Sequence, residues 1–475
     1  MIRKIARKEF IELLRDGRFR ITAAIVFALL LVSLAIGFNQ YREARADRAA
    51  AQATAYEQWL NQGERNPHSA AHYGMYAFKP LSALAFVDRG TENYTGTAIF
   101  LEAHKRNEFR FRPAKDTASV ARFGELTAAI VLQLLLPLLI ILLTFSTFSG
   151  ERESGTLRQV LSLGAARRDL AIGKALGAAV ALGVLLVPAI LPAVVLLSLV
   201  STDTSWQNER ARGAFLTTFY LVYFAVILLV ALAVSARARS SRAALVILLA
   251  FWIFTGLVVP RASADLAKRL YPTPSTVQFS REMEKEILHA EQGRKERLTA
   301  KVLKEHNVRR IEDLPFNFEG LSLQDSEERG DEVIDRYYQN LETTFERQNR
   351  LQEIAAAFSP AQAARLVSMG LSGTDIATQR DFARASEDYR RIFVREMNEA
   401  VMRDEGVFDQ NYRGTQTLSR KAGRELWETV EPFSYEMPSV FWVLRNHVFG
   451  IGVLLGWLAI ALVFAWRSIA VLKVD

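Results

Sequence analysis

Three of the six histidines are close enough along the chain to be considered as metal ligands. His68 and His72 are four residues apart, which places them on one face of a helix, and His104 follows in the same stretch. Imidazole nitrogens are common zinc ligands, but no carboxylate can be assigned as a further ligand, and the pattern favours hydrogen-bonded structural histidines. Contact with a partner or substrate is the other alternative. We therefore assign no metal from the sequence and keep the three as weak candidates.

The sequence shows no set of residues arranged for catalysis. The 475 residues include no cysteine, which excludes thiol nucleophiles, thiolate metal ligands and disulfide bonds. A nucleophile, a base and an orienting group do not occur in a recognisable set. The Gly-x-x-x-x-Gly-Lys-Ser/Thr pattern, which cradles phosphates, is also missing. We expect neither a cofactor in this chain nor an enzymatic activity of its own.

Hydrophobic residues make up 50% of the chain and charged residues 23%, so the charge must be segregated. Six stretches without Asp, Glu, Lys, Arg or His are long enough to cross a hydrocarbon core of about 30 Å. They are residues 21–38, 126–148, 175–200, 214–234, 243–259 and 448–466. The sequence therefore predicts six transmembrane helices.

Basic residues indicate how these helices are oriented. Lys and Arg accumulate before the first span, between the second and third, and between the fourth and fifth, which predicts that both termini are cytoplasmic. Residues 1–20 are predicted to form a cytoplasmic amphipathic helix. The net charge of +8 is explained by this distribution, so we expect no binding of nucleic acid.

Two large segments, 39–125 and 260–445, are then extracytoplasmic. In the second, apolar residues recur mostly at three- and four-residue steps, which predicts helices with packed apolar faces or, alternatively, a partner-binding surface. These stripes are Val333, Tyr337, Leu341, Phe345, Leu351, Ala355 and Phe358, and then Phe382, Ala385, Tyr389, Ile392, Phe393 and Met397. The predicted fold class is an all-α membrane protein with six transmembrane helices and a large helical extracytoplasmic domain.

The segment after the second span is the most informative. Glu151 and Glu153 lie near the start of a prospective helix, where the helix dipole favours anions. Leu157, Val160 and Leu161 give this helix an apolar face, which is expected to dock into a groove of another protein.

The same segment resembles a hallmark of membrane subunits of the ABC exporter superfamily, which includes drug, polysaccharide and haem-type exporters. Those subunits carry a Glu-Arg-Glu-x-Gly-Thr-Leu sequence after the second span. The resemblance implies that residues 149–174 form a coupling loop that contacts a separate ATPase subunit. The residues expected to carry this coupling are Glu151, Arg152, Glu153, Gly155, Thr156, Leu157 and Arg158.

A narrower resemblance extends over the outer segments, to a bacterial branch of such permeases with large extracytoplasmic inserts. It rests on residues 66–74, 79–80, 84–86, 101–104 and 366–375. It implies architecture and type of partner, and says little about the cargo.

From this resemblance we expect the permease subunit of an ATP-driven exporter in the bacterial cytoplasmic (inner) membrane, with ATP and Mg²⁺ bound by the partner ATPase. Further expected partners are a second copy or related permease, the lipid bilayer and an extracytoplasmic protein. One alternative is a mechanical transducer that acts on an extracytoplasmic partner. Another is an ion-coupled secondary transporter with kinked helices at Pro137, Pro188 and Pro192, which the absence of ionisable residues in the six apolar stretches disfavours.

Overall fold

The computed structural model of the protein describes residues 1–112, 126–200, 206–404, 407–408 and 420–472. The helices of the first half are α1 (Ile2–Arg15), α2 (Gly17–Leu60), α3 (Pro67–Tyr73), α4 (Glu92–Thr95), α5 (Ala128–Glu153), α6 (Thr156–Ser162), α7 (Arg167–Val200), α8 (Trp206–Arg237) and α9 (Ser241–Leu270). Those of the second half are α10 (Thr276–Glu291), α11 (Arg294–Glu305), α12 (Phe318–Ala355), α13 (Pro360–Leu371), α14 (Ile376–Met402), α15 (Arg424–Trp427), α16 (Val440–Asn446) and α17 (Val448–Ala470).

Six of these helices, α2, α5, α7, α8, α9 and α17, are long and apolar enough to cross a membrane. A helix satisfies every backbone hydrogen bond internally, which is what an apolar run in lipid requires. The predicted fold class is confirmed: the protein is an all-α membrane protein with six transmembrane helices and a further helical domain. Several spans exceed their apolar stretch, and α2 has 44 residues, more than twice what a bilayer needs.

The predicted helix of residues 1–20 divides at Asp16. The Asp16 side chain accepts a hydrogen bond from the Arg18 backbone N–H and thereby caps α2, so residues 17–20 belong to the first span. The preceding helix, α1, packs along α7. Gly173 makes this contact possible, because an added Cβ would lie 2.6 Å from side-chain atoms of Ile5.

The insert domain, as we name residues 61–112 and 271–447, joins the two long segments between membrane helices. It contains a small sheet that the periodicity did not predict: β1 (Met75–Phe78), β2 (Ala98–Glu102) and β3 (Lys105–Arg106) pair antiparallel in that order, with Met75 opposite Leu101. A second pair, β4 (Val407–Phe408) and β5 (Arg420–Lys421), is shorter.

The far end of α2 enters the core of the insert domain. The Trp59 indole donates a hydrogen bond to the Trp427 carbonyl at 2.9 Å, and both side chains are fully buried with Phe382 and Phe393. The predicted apolar stripe of α14 is thus a packed core at Phe382, Phe393 and Met397, although Ile392 is exposed.

The stripe predicted over the last part of α12 is only partly a core. Val333 is buried, but Phe345 is 38% exposed and Phe358, just past the end of α12, is 63% exposed. Leu351 and Ala355 are half-buried, so described elements cover the later part of the stripe only in part.

Candidate coupling site

The turn between α5 and α6 depends on a glycine. Gly155 has a φ of 72°, in the left-handed region that side chains with a Cβ rarely adopt. An added Cβ would meet no atom within 4 Å, so the backbone conformation and not a lack of space requires glycine here. The residue thereby sets the direction in which α6 leaves the second span.

Arg152 and Glu153 bind the two sides of the connection between α8 and α9. The Arg152 guanidinium donates to the carbonyls of Ala236 and Ala238 at 2.7 and 2.6 Å, and so caps the end of α8. The Glu153 carboxylate accepts from the Ser241 backbone N–H at 3.0 Å and from its hydroxyl at 2.6 Å, at the start of α9. A cation at a helix C-terminus and an anion at an N-terminus are both favoured by the helix dipole. The pair therefore joins the ends of α5, α8 and α9.

Glu151 connects the loop to α1 and α7. The Lys174 ammonium, which is 2% exposed, donates to Glu151 Oε1 and to Glu9 Oε2, both at 2.9 Å. Lys8 lies 3.6 Å from the same Glu151 oxygen. Burial raises the pKa of Glu9, although Lys174 opposes this rise. Three helices thus meet at one buried ammonium group.

Thr156 and Leu157 place α6 against the bundle. The Thr156 hydroxyl donates to the Glu151 carbonyl at 3.2 Å. The Leu157 side chain is fully buried in the hydrophobic core of the helix bundle. Val160 and Leu161 pack against the same core. The prediction of an apolar docking face was therefore wrong for Leu157, which the protein's own helices cover. Val160 and Leu161 are only partly buried, so docking through them stays a prediction.

The exposed face of α6 is its opposite side, which includes Arg158 and Gln159 and continues into the next turn. Leu163 there is 85% exposed, immediately before Gly164, which has a φ of 85°. The sequence analysis missed Leu163, although a glycine directly after a leucine at the end of a helix signals a turn. It also missed Glu9, Lys174 and Ser241, whose role depends on contacts between distant parts of the chain.

Two of the spanning helices extend beyond their apolar stretches, and these extensions carry buried charged residues. Glu209 and Arg212 of α8, like Lys174 of α7, are buried near the ends of their helices. The Arg212 guanidinium donates to backbone carbonyls of Leu371 and Pro438 and so ties α8 to the insert domain. The expectation of spans without ionisable residues thus holds for the apolar stretches only.

A cavity of about 270 Å³ lies between α2, α7 and α8. Its walls are almost entirely apolar, and the Tyr220 and Thr217 side chains are among the few polar ones. Residues lining it include Leu34, Phe86, Ala189, Ile190, Leu216 and Phe224. The cavity fits an apolar group better than a charged one.

His68, His72 and His104 lie together in the insert domain. The residues predicted to couple to an ATPase lie in the 149–174 loop instead. One nitrogen from each ring lies within 4.8 Å of those of the others. The structure thus unites the three weak metal candidates in one cluster, separate from the residues predicted to couple to an ATPase.

Comparison with protein families matches two regions of the chain, residues 108–256 and residues 276–436, to different family models. Residues 108–256, which hold the four spans from α5 into α9 and the whole 149–174 loop, match the model of the ABC-2 family transporter protein. Residues 276–436, most of the second part of the insert domain, match a domain of unknown function (DUF3526). A search of curated proteins finds no significant match. The chain therefore contains a region similar to the membrane permeases of the ABC-2 transporter family, followed by an additional domain.

Proposed function

We propose that the protein is the membrane subunit of an ATP-driven exporter and that its 149–174 loop receives the motion of a separate ATPase. The observation that carries this proposal is the way in which three consecutive residues are held. Glu151 binds α1 and α7 through Lys174, while Arg152 and Glu153 bind the ends of α8 and α9. A displacement of the loop is thereby passed to most of the bundle.

The exposed side of α6 and the turn at Leu163 form the surface on which the ATPase acts. ATP and Mg²⁺ are bound by the ATPase subunits, which close on each other when ATP binds. Closure presses the loop, and because packed helices move as rigid bodies, α5, α8 and α9 shift together relative to α7. A second copy of this chain, or a related permease, completes the path across the membrane.

The loop and both chain ends face the cytoplasm in this proposal. The support is that the loop, α1, the α8–α9 connection and the end of α17 lie at the same end of the bundle: Arg167 after α6 donates to the Ala470 carbonyl. This end carries the lysines and arginines that are typical of cytoplasmic loops. The insert domain then lies outside the bacterial cytoplasmic membrane.

Export is the direction implied by the resemblance, and the apolar cavity suits a cargo with an apolar part.

The mechanical transducer is the second candidate, and one observation favours it: α2 runs without interruption from the first span into the core of the insert domain. In that case the motion reaches an extracytoplasmic partner and no cargo crosses.

The test is purification of the tagged chain with its ATPase from native membranes, followed by an ATPase assay in liposomes. Glu151→Ala/Glu153→Ala should leave the ATPase bound but abolish most of the stimulation that the permease confers on it. Glu305→Ala, an exposed carboxylate of the insert domain, is the matched control and should behave as wild type. Full stimulation in the double variant would refute the role of the loop.

A transport assay with the same liposomes separates the two candidates. Accumulation of a cargo that depends on ATP supports the exporter, whereas ATP-driven movement of the insert domain without any transported molecule supports the transducer.

A further inference from the structure

The histidine cluster is built from two separate elements of the insert domain. His68 and His72 occupy one face of α3, whose N-cap is Asn66, and His104 lies in the two-residue turn between β2 and β3. The three ring centroids are 4.8 to 5.1 Å apart. His68 is buried, His104 half-buried and His72 exposed, so the cluster opens to solvent on one side.

Two of the rings are oriented by hydrogen bonds at Nδ1. His104 Nδ1 lies 2.6 Å from Glu327 Oε1, and because a carboxylate accepts, the ring donates. His68 Nδ1 lies 2.8 Å from Asn398 Oδ1, and the Asn398 amide nitrogen donates to Gln324, which fixes its oxygen toward the ring. Both rings therefore carry the proton on Nδ1 and present an unprotonated Nε2.

These two unprotonated nitrogens face each other. His68 Nε2 and His104 Nε2 are 3.2 Å apart, and both are acceptors in the neutral rings. Two lone pairs at this distance repel each other unless a proton or a metal cation lies between them.

We propose that His68, His72 and His104 form a three-histidine site for a divalent transition-metal ion of the zinc class. Zinc–nitrogen bonds of about 2.0–2.1 Å in a tetrahedron place two ligand nitrogens about 3.3 Å apart, close to the separation of His68 and His104. His72 is exposed, and one nitrogen of its ring lies within 4.8 Å of one nitrogen of each of the other two rings. Three imidazoles leave the fourth position open to water or to another ligand.

The groups around the ligands match those of zinc sites. A ligating histidine usually donates its other N–H to a carboxylate or carbonyl, as His104 does to Glu327 and His68 to Asn398. Glu327 is held in turn by the His104 backbone N–H at 2.9 Å and by the buried Arg390 guanidinium at 3.4 Å. A carboxylate with these partners has its orientation fixed before any metal arrives.

The site joins the two parts of the insert domain. The three ligands come from the segment before the second span, whereas Glu327 of α12 and Asn398 of α14 belong to the region that matches the domain of unknown function. A bound metal therefore fastens the two parts to each other. This inference stands independently of the proposed transport function.

The experiment measures zinc binding by the full-length chain, purified in detergent with an affinity tag that contains no histidine and stripped with a chelator. Titration with Zn²⁺ should show one ion per chain, and Co²⁺ should give the visible absorption of a tetrahedral nitrogen site. His72→Ala, at an exposed position that the fold does not depend on, should weaken binding at least tenfold. His289→Ala, a histidine of the same domain outside the cluster, is the matched control and should bind as wild type.

A second variant tests the orienting group. Glu327→Gln keeps the shape of the side chain but removes the charge that holds His104, and should weaken zinc binding by about 10- to 100-fold. Absence of stoichiometric zinc in the wild type would overturn the proposal. Zinc affinity in His72→Ala equal to that of His289→Ala would overturn it as well.

Discussion

Lys174 and Glu9 form an ion pair at 2.9 Å between residues that are 165 positions apart in the chain. The lysine is buried and also binds Glu151, so one ammonium group compensates two carboxylates. The N-terminal helix is thereby attached to the coupling loop through α7.

Replacing Lys174 should strongly destabilise the protein. Lys174→Met leaves Glu9 without its partner in a buried site and Glu151 with only the exposed Lys8, and we expect the free energy of unfolding to fall by about 3–5 kcal/mol. Thermal unfolding of the purified protein measures this. Lys301→Met removes an exposed lysine, 3.9 Å from Glu305, and should cost less than about 1 kcal/mol. Equal effects of the two substitutions would contradict the structural role of Lys174.

Leu163 should matter for binding the ATPase and hardly for folding. Its side chain is 85% exposed, so Leu163→Asp should leave the unfolding temperature unchanged but weaken binding of the ATPase about tenfold, as expected for a central contact. Leu288→Asp, also at an exposed leucine, lies in the insert domain and should leave binding intact. A Leu163 variant that binds the ATPase as tightly as the Leu288 variant would remove this residue from the contact surface.

Gly155→Ala should destabilise the loop because a Cβ is disfavoured at a φ of 72° by about 1–2 kcal/mol. Gly155→Asn should be tolerated better, since Asn adopts this conformation more readily than Ala. Gly183→Ala, within α7 and with open space around it, should be neutral or stabilise by up to about 1 kcal/mol. Thermal unfolding of the three variants, side by side, decides whether the left-handed turn forms as described.

Asp88 should make stability depend on pH. Burial raises the pKa of Asp88, although hydrogen bonds from Ser368 and the Gly90 N–H and the charge of Arg365 oppose this rise. Its contribution to stability is therefore complete below the unfolded pKa of 3.8 and is lost as the pH rises through the folded pKa.

Asp88→Asn removes this titration. The unfolding temperature of the variant relative to that of wild type should increase as the pH rises above the unfolded pKa of 3.8, because only the wild-type carboxyl group loses a proton. A constant difference as the pH rises would show that Asp88 ionises as easily in the folded protein as in the unfolded chain.

The membrane part could be predicted from the sequence because lipid imposes a simple rule on composition. Each apolar stretch became a spanning helix. Gly155 could be placed in a turn, but the contacts of Arg152 and Glu153 could not, because their partners at Ala238 and Ser241 are more than eighty residues away.

The inward side of α6 was misjudged for a related reason. An amphipathic helix has the same pattern whether it packs on its own chain or on a partner, and only the fold shows which. The histidine cluster was undervalued because the partners that orient it, Glu327 and Asn398, lie more than two hundred residues from the ligands.

The uninterrupted course of α2 has a geometric consequence. The part beyond the apolar stretch, residues 39–60, is about 33 Å long, so a tilt of about 10° in the bilayer carries Trp59 about 6 Å sideways. Coupling of this kind is reciprocal. Under the proposed function, a molecule that restrains the insert domain would therefore also bias the other end of α2 at Asp16, beside the helix that shares Lys174 with the loop. The protein would then act as a sensor as well as a transmitter.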